Sequence, residues 1–144
     1  KTGKWVDLGS GGGFPGLGVA ILSDELGIPN RLSLVEADVR KSVFLKTVCR
    51  ELGLKVDVYN SRIEELPKMS ADVLSARALA PLETLCFYAE KHLKKDGLAV
   101  FAKGESWESE VFEAQKNWIF DFDAVKSKLH EGSVMLALRG IKGV

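Results

Sequence analysis

Cysteine is scarce: Cys49 and Cys86 are the whole supply, and they stand far apart in the chain. That excludes a disulfide framework and a paired-cysteine metal or redox site, so both thiols read as core packing. Only two histidines occur, His92 and His130, too few for a zinc cluster, and no metal is expected. No apolar run reaches the roughly 18–20 residues of a membrane helix, and no signal peptide opens the chain. Neither sign of charge is in surplus. Twenty basic and twenty acidic residues cancel, and each half of the chain holds ten of each. Bulk electrostatics therefore announce no nucleic-acid partner, and any basic footprint has to come from local arrangement. Repeats and low-complexity stretches are also missing. With 46% hydrophobic and 28% charged residues over 144 positions, what remains is one ordinary domain, residues 1–144. It is expected in the reduced cytoplasm, without membrane contact and as a monomer. Lys1 stands almost against the first strand-like run and is not Met, so the chain reads as cut at its N-terminus.

What is present is an alternation of short β-rich runs with helical patterns. Strands are expected over residues 5–8, 32–36, 56–59, 73–75 and 98–102, with a turn at Asp96-Gly97. Helices are expected over 17–26, 39–52, 81–92 and 105–115. Asp38 can cap the second helix, Gly53 can end it, and Phe44, Leu45, Val48 and Leu52 recur on one of its faces. Residues 118–128 and 133–139 follow as two strands with only the Glu131-Gly132 turn between them. The pattern predicts a doubly wound, mainly parallel α/β sheet with an antiparallel C-terminal hairpin.

The densest signal is Asp7-Leu8-Gly9-Ser10-Gly11-Gly12-Gly13-Phe14-Pro15-Gly16, directly after the first strand. Glycines there let the backbone turn and approach a ligand, and the following helix points its amide end at that ligand. Gly11, Gly13 and Gly16 fit the G-x-G-x-x-G of dinucleotide sites, two residues beyond the strand-end glycine. Asp7, Gly9, Gly11 and Gly13 fit the acid-x-G-x-G-x-G of S-adenosylmethionine sites in register. A turn without a ligand is the third reading. Glu36 then ends the second strand, where this kind of fold sets an acid against a ribose diol. One carboxylate can accept from both hydroxyls, and it would repel the 2′-phosphate of NADP.

At this point the sequence resembles a known family. The runs DLGSGGGFPGLGVAIL, LVEADVRKSVFLKTVCRELGL, NSRIEELP, ADVLSARALAPLETL and GLAVFAKG are similar to those of the glucose-inhibited division protein B family. The likeness is strongest over residues 4–104 and weaker over the last forty. It implies a bacterial enzyme with a Rossmann-like class I S-adenosylmethionine-dependent methyltransferase fold, methylating guanine-N7 of 16S ribosomal RNA in the small-subunit particle. Members carry a helical N-terminal segment of several dozen residues that this sequence does not include. Their cofactor contacts carry over to Gly9 and Phe14 in the loop, Ile63 and Glu64 after the third strand, and Arg77 after the fourth. Ile63 can wall the adenine ring, pack in the core, or do both. Arg77 stands among small and apolar residues, so it should meet an anion: the methionine carboxylate, an RNA phosphate or an acid of the protein.

Guanine N7 has a free lone pair and no proton, so its methylation needs no general base. Ser75-Ala76-Arg77-Ala78 is neither the N-P-P-aromatic element of amino-group methylases nor a Pro-Cys pair, and no catalytic acid, base or nucleophile is assigned. Positioning and electrostatics are left to carry the rate. Candidate RNA-facing cations are Arg40, Lys41, Lys46, Arg50, Lys103 and Arg139, while Glu105, Glu108, Glu110 and Glu113 should face away from phosphate. The competing readings are an NAD-dependent oxidoreductase fragment and a non-catalytic nucleotide-binding module.

Overall fold

A computed structural model describes residues 3–9, 30–77, 80–126 and 132–144. The expected helix over 17–26, together with Gly11, Gly13, Phe14 and His130, lies outside the described residues. Seven strands form one sheet: β1 (Gly3–Leu8), β2 (Asn30–Val35), β3 (Val56–Tyr59), β4 (Ala71–Ala76), β5 (Leu93–Lys103), β6 (Trp118–Lys126) and β7 (Val134–Gly143). Their order is β3-β2-β1-β4-β5-β7-β6. The first five pair in parallel, and β7 runs antiparallel to both β5 and β6. The expected mainly parallel sheet with an antiparallel end is thus present. The chain reverses its direction of travel across the sheet between β1 and β4, where open α/β sheets open a crevice at the carboxyl ends of their strands.

Among the described residues three helices accompany the sheet: α1 (Val39–Glu51), α2 (Leu82–His92) and α3 (Trp107–Ala114). Strand alternation sorts the side chains between two cores. Val6, Leu8, Leu74, Ala76, Ala99, Phe101, Leu136 and Leu138 share one cluster with Leu82, Leu85, Cys86 and Ala89 of α2. Leu32 and Leu34 pack with Leu45 of α1 in the second, beside Trp5, Val56 and Val58.

α1 begins as its sequence says it should. Asp38 has extended dihedrals and its Oδ1 accepts the Lys41 amide at 3.1 Å, and Gly53, just beyond the last turn, takes φ +65°. Asp38→Ala is expected to lower stability by about 1 kcal/mol, the usual worth of such a cap, read as an earlier urea midpoint at unchanged slope. The buried side of α1 is Ser42, Leu45 and Cys49, however, and Phe44 and Leu52 are half exposed. Two helical stripes ran side by side in the sequence, and apolar spacing alone favoured the bulkier one.

β5 also differs from expectation. It leaves α2 with no connector, and Asp96-Gly97 lies inside it as a register irregularity between the Ala71–Leu93 and Val73–Leu98 pairs. Glycine is required there: a Cβ on Gly97 would stand 2.6 Å from the Leu93 side chain and 3.0 Å from the Lys94 carbonyl.

Candidate functional site

The carboxyl ends of β1, β2 and β3, with Ala80 beyond β4, surround a cleft of about 210 Å³. Gly9, Val35, Glu36, Ala37, Ser61, Arg62, Ile63, Glu64, Ala80 and Tyr88 line it. Gly9 has φ +65°, and its amide still donates to the Val35 carbonyl at 2.8 Å. The backbone therefore leaves β1 by a left-handed turn that disfavours any Cβ, while staying laddered to β2.

Glu36 continues the ladder on the other side, its amide donating to the Tyr59 carbonyl at 2.9 Å. Its side chain is buried at the cleft wall, and Oε2 accepts the Asp38 amide at 2.9 Å, which fixes the carboxylate's direction. The Asn60 amide nitrogen donates to the carbonyls of Glu36 and Ala37, 3.0 Å each, bracing this segment from β3.

The third wall is a 3₁₀ turn, Ile63–Glu65, held from α2. The Ile63 carbonyl meets His92 Nε2 at 3.0 Å, and the Glu64 carbonyl accepts from Lys91 Nζ at 2.8 Å. Burial first, then the nearby Glu64 carboxylate, raise the Tyr88 phenol's pKa, so it keeps its proton. The carbonyls of Ile63 and Glu64 are thus engaged by α2.

Other expected site residues fall elsewhere. Asp7 is buried but does not line the cleft: its Oδ1 accepts the Ser75 hydroxyl at 2.7 Å, and Ser75 in turn accepts Trp5 Nε1–H at 2.7 Å. Arg77 follows β4, is exposed and does not line the cleft. Lys103 corrects another expectation. Instead of facing RNA it is buried, donating to the Ala80 carbonyl at 2.7 Å and pairing with Glu110 at 2.9 Å. Glu110 Oε1 also accepts the Leu82 amide at 3.0 Å, so this acid looks inward at the start of α2. Strand alternation explains the placement, since Lys103 falls on the same face as Ala99 and Phe101.

The thiols are inert. Burial, reinforced by the Glu83 charge and opposed by Lys103, pushes Cys86 up to about 12, and burial raises Cys49 as well. Among the described residues no group of three His, Cys, Asp or Glu side chains is placed to hold a metal, and no helix is long and apolar enough to cross a membrane.

The family model GidB, described as rRNA small subunit methyltransferase G, matches residues 1–140. This chain belongs to that family. The ribosomal RNA small subunit methyltransferase G of Ruegeria sp. (strain TM1040) is 46% identical over 144 residues, all of this chain and 70% of the relative. Solved structures share the fold at lower identity. The ribosomal protein L11 methylase of Lactobacillus delbrueckii subsp. bulgaricus superposes with a TM-score of 0.75 at 17% identity, over 97% of this chain and 71% of that one. A SAM-dependent methyltransferase from Aquifex aeolicus gives 0.71 at 16%, over 94% and 81%.

In this GidB-family chain, sequence reasoning missed Asn60, Tyr88, Lys91 and His92. Asn60 had a signal, a polar residue at the carboxyl end of a strand, just as Glu36 is. Tyr88, Lys91 and His92 recur at helical spacing on one face of α2, but nothing local showed which turn that face would meet.

Proposed function

We propose that this domain binds S-adenosylmethionine in the cleft and transfers its methyl group to guanine-N7 of 16S ribosomal RNA. The observation that carries the reading is the Glu36 carboxylate, buried at the end of β2 and oriented by the Asp38 amide beside the Gly9 turn. Such an acid suits a ribose diol. Ile63 offers an apolar wall for adenine, and the amides of Ile63 and Glu64 suit an acceptor edge of the base. Gly9, with Gly11, Gly13 and Phe14, is assigned to the methionine side, Asp7 to the support of that loop, and Arg77 to an anion at the rim.

Bound there, S-adenosylmethionine supplies an electrophilic methyl group. The chain's own task is to hold donor and base in line and to exclude water, which calls for no catalytic acid, base or nucleophile. Guanine N7 in an A-form helix lies in a groove closed to side chains, so the target base is presented from a loop or an opened segment. Arg40 and Lys41, exposed in the first turn of α1 just past the cleft wall at Ala37, are candidates for phosphate contact. The protein acts as a monomer in the cytoplasm, on the small-subunit particle.

Calorimetric titration with S-adenosylhomocysteine and, separately, NAD tests the cofactor, and tritiated methyl incorporation into small-subunit RNA tests the reaction. Binding of the homocysteine compound alone, with label released as 7-methylguanine, is the expected result. Binding of NAD instead would overturn it.

A further inference from the structure

His92 is almost completely buried, and both of its ring nitrogens are engaged. Nδ1 lies 3.3 Å from the Met69 amide nitrogen, which can only donate. Nδ1 is therefore the acceptor, and the proton sits on Nε2, 3.0 Å from the Ile63 carbonyl. One neutral ring so ties both ends of residues 63–69, the connection that supplies the cleft's third wall. Ile63, Leu66 and Met69 are the buried anchors of this connection. Next to the tie, Ser70 takes φ +52°, a left-handed backbone that a serine holds only when its surroundings impose it. Burial, the main influence, lowers the pKa of His92, in keeping with a neutral ring.

We propose that His92 is a positioning residue for cofactor binding: as the neutral Nε2–H tautomer it clamps the Ile63 carbonyl and the Met69 amide, and so sets the placement of the Ile63–Glu64 wall. The inference rests on the cofactor reading above and adds to it a residue that does not line the cleft. Protonating Nδ1 removes the acceptor for Met69, so the clamp opens in acid. The titratable groups on the elements that hold the ring are Glu83, Cys86, Tyr88, Glu90 and Lys91 of α2, Glu64 and Glu65 of the turn, and Lys68 in the segment leading to β4. All of them remain when His92 alone is replaced.

The test is S-adenosylhomocysteine affinity by calorimetry between pH 7.5 and pH 5, for wild type, His92→Gln and His92→Phe. Glutamine sets an amide donor near the place of Nε2 and keeps the bond to Ile63, whereas phenylalanine keeps ring volume and loses both bonds. At pH 7.5 the Phe variant should bind roughly tenfold more weakly, and the Gln variant should recover most of that loss. Wild-type affinity should fall as pH drops below the ordinary histidine range, and the Gln variant should lack this fall. Should the variants not fold, the wild-type profile and a long-range ¹H–¹⁵N spectrum decide alone: a doubly protonated or Nδ1–H ring at pH 7.5, or a flat profile, overturns the inference. Wild-type binding with an equally tight Phe variant overturns it too, whereas no wild-type binding at pH 7.5 overturns the cofactor reading beneath it.

Discussion

Glu36→Ala is expected to weaken S-adenosylhomocysteine binding by about 10–150-fold, the scale of about 1.5–3 kcal/mol for a hydrogen-bond partner that carries charge. The loss has a specific source. The carboxylate is buried at the cleft wall and aimed by the Asp38 amide, so a diol meeting it exchanges water for a preset acceptor. Alanine also leaves the Asp38 amide without that acceptor, which is why the thermal midpoint must be measured beside the dissociation constant. A small drop in midpoint with a large drop in affinity supports the assignment to the ribose. Glu36→Gln should lie between, since the amide keeps one acceptor oxygen and loses the charge. An unchanged dissociation constant in the alanine variant would remove Glu36 from the site.

Lys103→Ala is expected to destabilise the fold by about 2–4 kcal/mol. Breaking a buried pair from one side leaves an uncompensated charge, and the usual penalty of about 3–5 kcal/mol is reduced here because Glu110 keeps some solvent access. The side chains are 5% and 23% exposed for Lys103 and Glu110. The lysine also holds the Ala80 carbonyl, so the segment entering α2 loses its tie to β5. Replacing both partners, as in Lys103→Met with Glu110→Gln, should restore much of the stability by removing the stranded charge. Urea unfolding of the single and double variants checks this. A loss below about 1 kcal/mol for Lys103→Ala would mean that water already screens the pair.

Much of this architecture was legible because local signals agreed with one another. Asp38 and Gly53 bracket α1 as cap chemistry dictates, and Glu36 falls at the strand end where the cleft forms. The lack of a helix before the last strand foretold the antiparallel pairing of β7. What was not legible depended on partners distant in sequence. Lys103 looked like one more surface cation until alternation along β5 placed it beside Phe101, facing an acid from α3. Arg77 carried an expectation built on burial, and it is exposed. Asp96-Gly97 has the composition of a turn, yet close packing on Leu93 keeps it within β5. His92 showed no motif at all, because its meaning lies in two backbone groups on another segment.

The sheet order also bears on how the molecule comes together. β2, α1 and β3 are neighbours in sequence and in space, a unit that can collapse locally. β1 and β4 are not: the Trp5–Ser75 and Asp7–Ser75 bonds that join them span 70 and 68 positions, the longest closure between any two adjacent strands described. Closing so long a loop is the larger entropic demand on the chain, and non-local pairing of this kind slows folding. The cleft draws Gly9 from one side of that seam and Ala80 from the other, so the folding chain completes this cleft only when these two neighbouring strands, far apart in sequence, have met.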